Sequence, residues 1–291
     1  METSELIKKV RKIEIKTRGL SKQIFSGEYH SAFKGRGMAF SEVRNYQYGD
    51  EIRTIDWNVT ARYSEPYVKI FEEERELTVM LLVDVSLSES FGTKLQFKQD
   101  IITELAAVLA FSAIQNNDKI GLILFSDKVE KYIPPKKGRS HILRIIRELI
   151  DFKPENSGTD IGQALAFLTN VQKKRSIAFI ISDFISPDFD RPMRIAGKKH
   201  DTIAMHIFDE REGELPDIGL VRIKDLESGV EKWIDTSYSV IRDNYRDRWN
   251  NQQKLMKTTF MKNNIDLVQI QTGQDYIVPL MNFFKQRTKR R

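Results

Sequence analysis

The feature that most constrains the fold is a regular alternation of short apolar runs and longer amphipathic segments, beginning near residue 77. The runs "LTVMLLVDVS", "DKIGLILFSD", "SIAFIISD" and "DTIAMHIFD" are rich in aliphatic and β-branched residues. Each has the length and composition of a parallel strand that is covered on both faces, and the segments between them have helical periodicity. The order predicts an α/β fold with a doubly wound, mostly parallel sheet over residues 77–291.

The apolar spacing also predicts where the other elements lie. Helices are expected near 94–115, 140–152, 160–172, 237–263 and 274–287, with Ser140 as the N-cap of the second. The run "KVEKYIPP" predicts a strand that its two prolines end. After the fifth strand, residues 220–236 predict a β-hairpin that turns at Glu227, Ser228 and Gly229, and 265–272 predicts a last strand.

Residues 1–76 differ in kind from the rest of the chain. A helix is expected near 3–12, followed by aromatic and glycine-bearing sequence with strand-like alternation at "YVKIFEEE". No linker-like stretch separates this region from residue 77, so we expect a small, partly β appendage packed on the α/β domain. Six charged and aromatic residues of this region are expected to have a structural role, with ion pairs among them and with Trp57 fixing the appendage to the main domain. They are Arg44, Asp50, Arg53, Asp56, Trp57 and Arg62.

Composition and charge exclude several classes of protein. The chain has no cysteine, which excludes disulfides, thiolate metal sites and cysteine nucleophiles. No apolar run approaches the length of a membrane span, and the first residues mix acids with bases, so a cytoplasmic protein is expected. The net charge of +6 is concentrated in 1–22 and 281–291. Nucleic-acid binders usually spread such charge over a folded face, so nucleic acid is not the expected partner.

Oxygen-bearing side chains stand where predicted strands run out. Asp84, Ser86 and Ser88 follow the first strand, Thr159 precedes a helix, and Asp183 ends the fourth strand. In an open α/β sheet of order 3-2-1-4-5-6, these positions converge on the crevice at the carboxyl ends of the strands. Carboxylates and hydroxyls are hard ligands, which favours Mg²⁺ or Mn²⁺ over Zn²⁺. Taken singly, such residues are also common turn and N-cap residues, and Thr159 or Asp160 could cap the helix.

These motifs resemble those of two known families. The D-x-S-x-S sequence, the Gly-Thr-Asp before a helix and Asp183 together resemble the metal-ion-dependent adhesion site of von Willebrand factor A domains. Upstream, "GRGMAFSEVRNYQYGDEIRTIDWNVTAR" resembles the signature of the bacterial "domain of unknown function 58" family, whose members join such a leader to an A-like domain. The resemblance spans roughly residues 30–215.

The resemblance implies a fold, a site and a partner. The fold would be von Willebrand factor A-like, or Rossmann-like, over 77–291, with the family signature in 1–76. Asp84, Ser86 and Ser88 would contact the metal directly or through water, Thr159 would ligate in one of two states, and Asp183 would act mostly through water. The protein would be a non-enzymatic accessory of a MoxR-type AAA+ ATPase in client assembly or activation, and the client would carry an acidic ligand residue.

Two alternatives from other functional classes remain open. Asp84 could be the nucleophile of a metal-assisted phosphoryl-transfer enzyme, although Ser86 stands where such enzymes commonly place an acidic residue. The basic ends, 1–22 and 281–291, could instead bind an anionic partner. No Walker motif or nucleophile elbow occurs, and the four histidines have no metal-site spacing.

Overall fold

The computed structural model describes residues 11, 13, 14, 38–73, 77–86, 98–156, 158–224 and 231–290. Contacts divide the chain into a compact unit at Phe33–Leu77 and a larger unit that contains Thr78–Arg291. Most of the helix predicted near 3–12 lies outside the described residues, as does the predicted hairpin turn at Glu227, Ser228 and Gly229.

The smaller unit is partly β, as predicted. Strand β1 (Met38–Asn45) pairs antiparallel with β2 (Tyr67–Glu73), and helix α1 (Trp57–Tyr63) lies between them in sequence. Asp56 caps α1, because its side chain accepts hydrogen bonds from the backbone N–H groups of Asn58 and Val59. N–H groups in the first turn of a helix have no acceptor within the helix. Arg44 and Asp50 form a two-pronged ion pair with both contacts at 2.7 Å. Trp57 is 67% exposed, and its role in pinning the appendage to the α/β domain stays a prediction.

The larger unit is built on a six-stranded sheet. Its strands are β3 (Thr78–Asp84), β4 (Lys119–Phe125), β5 (Val129–Lys136), β6 (Ile177–Ser182), β7 (Asp201–Phe208) and β10 (Asp266–Gln271). They lie in the order β10-β7-β6-β3-β4-β5, which is the predicted order 3-2-1-4-5-6 read from the other edge. All neighbouring pairs are parallel except β4 with β5. The doubly wound, mostly parallel sheet predicted from the apolar runs is therefore confirmed.

Helices cover both faces of this sheet. They are α2 (Lys98–Gln115), α3 (Arg139–Asp151), α4 (Ile161–Val171), α5 (Asp190–Lys199), α6 (Ser239–Lys262) and α7 (Ile277–Arg290). Met80 and Leu82 of β3 point into a core that includes residues of α4, α5 and α6, such as Leu165 and Phe260. The alternate β3 residues are also fully buried, as a strand covered on both faces requires.

Three local predictions differ from the structure. Strand β5 continues through Pro134 and Pro135 to Lys136, because it is an edge strand and one side of its backbone needs no ladder hydrogen bonds. Helix α3 begins at Arg139 with Gly138 as its N-cap, so Ser140 is inside the helix. Helix α5 was not predicted, because its sequence "DRPMRIAGKK" carries a weak apolar pattern and a glycine.

The remaining elements follow β7. Strands β8 (Leu220–Lys224) and β9 (Glu231–Asp235) pair antiparallel as the predicted hairpin, and α6 and α7 lie close to their predicted positions. Within the part of the chain that the structure describes, no helix is both long and apolar enough to cross a membrane.

Candidate metal site

Asp84 is the last residue of β3, and it is buried with 1% of its surface exposed. Its Oδ2 accepts a hydrogen bond of 2.7 Å from the hydroxyl of Ser182, at the end of the adjacent strand β6. Its Oδ1 accepts one of 3.0 Å from the backbone N–H of Ser86. Burial, reinforced by the charge of Asp183, raises the pKa of the Asp84 carboxyl to about 7 despite these hydrogen bonds. A cation beside Asp84 would stabilise its charged form.

Asp183 follows β6 directly and is also buried, with 2% exposed. Its Oδ1 accepts a hydrogen bond of 3.0 Å from the backbone N–H of Ile185, and its Oδ2 accepts one of 3.1 Å from the ammonium of Lys98. Phe184, which lies between Asp183 and Ile185 in the sequence, has a φ of +58°, in the left-handed region that non-glycine residues rarely adopt. Its buried ring packs edge-on against Phe260, with 5.0 Å between centroids, and this packing helps to hold the strained backbone.

Thr159 lies in the segment before α4 and is 5% exposed. Two hydrogen bonds tie this segment to the strand ends on either side of β3. The backbone N–H of Asp160 donates to the carbonyl of Ser126, after β4, at 2.8 Å, and the Ser186 hydroxyl, after β6, donates to the carbonyl of Thr159 at 3.4 Å. Asp160 caps α4 by accepting from the N–H of Gln163 at 3.0 Å, so Thr159 does not serve as the cap.

The structure thus brings four of the five predicted site residues to one edge of the sheet. Asp84, Ser86, Thr159 and Asp183 are all buried there, because the central strands β3 and β6 end side by side and the Thr159 segment is tied to both flanks. Ser88 lies outside the described residues. The arrangement is the crevice at the carboxyl ends of the strands where open α/β sheets bind ligands.

Two charged residues that were not predicted lie at the same edge. Lys98, at the start of α2, has 0% exposure and pairs with both Asp183 and Glu212. Glu212 ends a short 3-10 turn after β7, and its other oxygen accepts a hydrogen bond of 3.0 Å from the backbone N–H of Asp209. Burial raises the pKa of Glu212, and the ammonium of Lys98 opposes that rise.

One sequence signal could have identified Lys98. It stands three, four and seven residues before Ile101, Ile102 and Leu105, on the buried stripe of α2, where a lysine needs a charged partner. Glu212 gives no such signal, because it lies in a turn after the regular alternation has ended. The next residue, Gly213, is packed so closely that a Cβ there would lie 2.9 Å from the indole of Trp249 on α6.

His206 of β7 is close to these charges but adds none at neutral pH. It is fully buried and stacks on Phe208, with 5.0 Å between ring centroids. Burial lowers the pKa of His206 to about 4. The charge at this edge is therefore carried by groups other than His206, among them the buried Asp84, Asp183, Asp209 and Lys98 and the partly buried Glu212.

The chemistry of these groups fits a divalent cation with oxygen ligands. No three His, Cys, Asp or Glu side chains of the described ranges converge on one point, so a metal ion here needs hydroxyl and water ligands as well. Acidic groups outnumber basic ones among the buried residues of this edge, with Asp84, Asp183 and Asp209 against Lys98, and such an excess favours a cation. A cavity of about 210 Å³ reaches this point, with Asp84 and Ser86 in its wall.

The strand order and the position of Asp84 define a von Willebrand factor A-like protein. The family model "Protein of unknown function DUF58" matches residues 42–255, and the chain belongs to this family. The uncharacterised protein Rv1480 of Mycobacterium tuberculosis is 28% identical over 292 residues, which cover 99% of this chain and 92% of that protein. The uncharacterised protein YeaD of Bacillus subtilis is 30% identical over 109 residues, 38% of this chain and 25% of that protein.

Two solved structures from Bacteroides share the fold. The conserved hypothetical protein BatB of Bacteroides thetaiotaomicron gives a TM-score of 0.50 at 15% identity, over 73% of this chain and 99% of that chain. An aerotolerance-related membrane protein of Bacteroides fragilis gives 0.51 at 14% identity, over 74% of this chain and 100% of that chain. At such identities the likeness concerns the fold alone.

Proposed function

We propose that the protein is a non-enzymatic interaction module in which Mg²⁺ or Mn²⁺ links it to an acidic side chain of a partner protein. The observation that carries the proposal is the burial of Asp84 beside Asp183, at the carboxyl end of the central strands. Burial and the nearby charge of Asp183 destabilise the charged form of Asp84, and a dication beside the two residues removes that cost.

Each residue has a distinct part in the proposed site. Asp84 and Asp183 supply the negative charge, while Ser86, Ser88 and Thr159 supply neutral oxygens. The hydrogen bonds from Ser182 and from the Ser86 amide fix the orientation of the Asp84 carboxylate before any cation arrives. When bound, the metal offers a coordination position that an incoming Glu or Asp can fill in place of water.

The surroundings of Asp84 favour a role as a metal ligand over a role as the nucleophile of an enzyme. Both of its oxygens already accept hydrogen bonds, and the residue two positions later is Ser86 and not an acid. Phosphoryl transfer by Asp84 remains the enzymatic alternative. Turnover of an aryl phosphate that disappears in Asp84→Ala would establish it in place of the binding role.

The alternative of anionic-partner binding through the basic ends receives less support. Within the C-terminal stretch, Arg287 is 8% exposed and forms ion pairs with Asp201 and Asp266. Part of the positive charge at that end is therefore neutralised within the protein itself. Removal of 1–22 combined with Lys285→Gln and Lys289→Gln, which neutralise exposed bases and leave Arg287 in place, would leave binding to a polyanion unchanged if these ends have no such role.

The cation requirement is tested by calorimetric titration of Mg²⁺ and Mn²⁺. We expect the wild type to bind one cation and Asp84→Ala to bind none. Asp247→Ala is the matched control, because it removes an exposed carboxylate from α6 and should bind as the wild type does. An identical response from Asp84→Ala and the wild type would contradict the proposal.

The partner we propose is a MoxR-type AAA+ ATPase, acting with a client protein in the cytoplasm, where ATP is available. The support is the family membership and the leader signature over residues 35–62. A pull-down with such an ATPase from the same genome, with Mg²⁺ and with a chelator, tests this part. Retention that requires Mg²⁺ and is lost in Asp84→Ala supports it, and equal retention by both variants contradicts a role for the site.

A further inference from the structure

Lys98 is the most unusual charged residue of the described chain. Its side chain has 0% exposure, yet its ammonium lies 3.1 Å from Oδ2 of Asp183 and also pairs with Oε1 of Glu212. Burying an ammonium is costly unless carboxylates compensate it, and here two do so. The lysine is carried by α2, and its two partners follow β6 and β7, so three separate elements converge to hold it.

This arrangement is attached to the proposed metal site through Asp183. The carboxylate of Asp183 is held at both oxygens, by Lys98 at Oδ2 and by the backbone N–H of Ile185 at Oδ1. Glu212 is held in turn at Oε2 by the backbone N–H of Asp209. Glu212 is therefore connected to Asp183 through the ammonium of Lys98, which pairs with both carboxylates.

The Lys98–Glu212 pair adds one positive and one negative charge to this edge, so the pair as a whole is neutral. Removing Glu212 alone would make the edge one charge unit more positive, and removing Lys98 alone would make it one unit more negative. At distances of a few ångströms in a buried site, one unit of charge changes ion affinity strongly.

We propose that Lys98 and Glu212 are positioning residues that set the charge selectivity of the metal site, with Lys98 as a built-in cation that orients Asp183. The inference rests on the proposed function, since it concerns the same site. It predicts that the two residues matter as a pair, and that their joint removal restores the charge balance that either single removal disturbs.

The experiment compares Mg²⁺ with the trivalent ion La³⁺ by calorimetric titration of the full chain. We expect Glu212→Gln to weaken Mg²⁺ binding by about tenfold or more, because the site loses one negative charge. We expect Lys98→Met to shift the ratio of the two dissociation constants by about tenfold or more toward La³⁺. The double variant Lys98→Met/Glu212→Gln should return the ratio to within about threefold of the wild type.

Each outcome either supports or contradicts the proposed role of Lys98 and Glu212. If the wild type binds Mg²⁺ and Asp84→Ala does not, but Glu212→Gln binds Mg²⁺ as tightly as the wild type, the inference fails while the proposed function stands. If the wild type binds no divalent cation and Lys98→Met gains binding, Lys98 itself takes the cation's place and the inference is overturned. If Lys98→Met does not fold, Glu212→Gln and the double variant still decide between charge balance and a purely structural pair.

Discussion

The two ends of the central sheet both carry buried charges, but they balance them differently. At the amino ends of the strands, Asp201 of β7 and Asp266 of β10 face Arg287, with Arg290 as a second partner of Asp266 at 3.5 Å. Two carboxylates meet two guanidinium groups, and the charge is neutral. At the carboxyl ends, the ammonium of Lys98 pairs with Asp183 and Glu212, and two more buried acids, Asp84 and Asp209, lie at the same ends of the strands.

This difference separates a structural ion cluster from a candidate binding site. The amino-end cluster is complete, since every carboxylate in it has a guanidinium partner. The carboxyl-end cluster, within the described residues, has more buried acids than buried bases, together with buried hydroxyls and a cavity lined in part by Asp84 and Ser86. Burial of charge without full compensation is costly, and proteins retain it mainly where function requires it.

The largest expected effect comes from a substitution in the neutral ion cluster at the amino ends of the strands. Arg287→Met removes the guanidinium that pairs with Asp201 and Asp266 and should lower the free energy of unfolding by about 3 kcal/mol, because a largely buried ion cluster loses a compensating charge. Urea denaturation at neutral pH measures this, with and without Mg²⁺. The control Arg290→Met, whose side chain is 72% exposed, should lose less than about 1 kcal/mol. Rescue of Arg287→Met by Mg²⁺ would show that the two ends do not differ as described.

Acid should weaken the amino end through His200. Burial, with the nearby Lys199 and Arg175 as smaller causes, lowers the pKa of His200 to about 4. The unfolded chain binds a proton below about pH 6.5 while the folded chain stays neutral, so stability falls as the pH drops from about 6.5 to 4. By pH 5 the loss from this group should reach about 2 kcal/mol.

The variant His200→Asn isolates this contribution. Its amide oxygen can take the place of Nδ1, which accepts a hydrogen bond from the N–H of Ser176 at 3.3 Å, while no titrating group remains. We expect the difference in stability between pH 7 and pH 5 to shrink by about 2 kcal/mol relative to the wild type. An unchanged difference would assign the acid sensitivity to other groups, among them His206.

A smaller effect is expected from Thr159 at the carboxyl end. Thr159→Ala removes a buried hydroxyl and should weaken Mg²⁺ binding by about tenfold, or about 1.4 kcal/mol. Thr159→Ser keeps the hydroxyl and should bind nearly as the wild type does. Equal loss in both variants would mean that the methyl group, and thus packing, is what matters at this position.

The smallest effect sharpens the contrast between the ends. Glu212→Gln should change the metal-free stability by less than about 1 kcal/mol, because Lys98 keeps its ion pair with Asp183. This is the reverse of the expectation for Arg287→Met, although both changes remove a charge from a buried cluster. A loss of about 3 kcal/mol from Glu212→Gln would show that both ends are structural clusters of one kind.

The sequence predicts the sheet and most of the site for one physical reason. Parallel strands covered on both faces are continuous apolar runs, so their ends can be read directly, and Asp84 and Asp183 mark those ends. Strand order followed from the doubly wound pattern. The same reasoning cannot reveal that Pro134 and Pro135 lie inside an edge strand, because edge position depends on the finished sheet.

The unpredicted part of the site depends on contacts between elements far apart in sequence. Lys98 reaches Asp183 across 85 positions, and a periodic pattern read along one helix shows that a lysine is buried but not what it meets. Glu212 stands in a turn without periodicity. Such partners become visible only when the strand order places α2 beside the ends of β6 and β7.

The close contact between Gly213 and Trp249 has a consequence for the rate at which the turn that carries Glu212 opens to solvent. Because a Cβ on residue 213 would lie only 2.9 Å from the indole, the turn that carries Glu212 packs closely on α6, and we expect the two to open together. The amides of Glu212 and Gly213 should therefore exchange with deuterium at the rate at which the neighbouring part of α6 opens. The opening rate of α6, a helix of 24 residues, would then determine how often the turn that carries Glu212 is exposed to solvent.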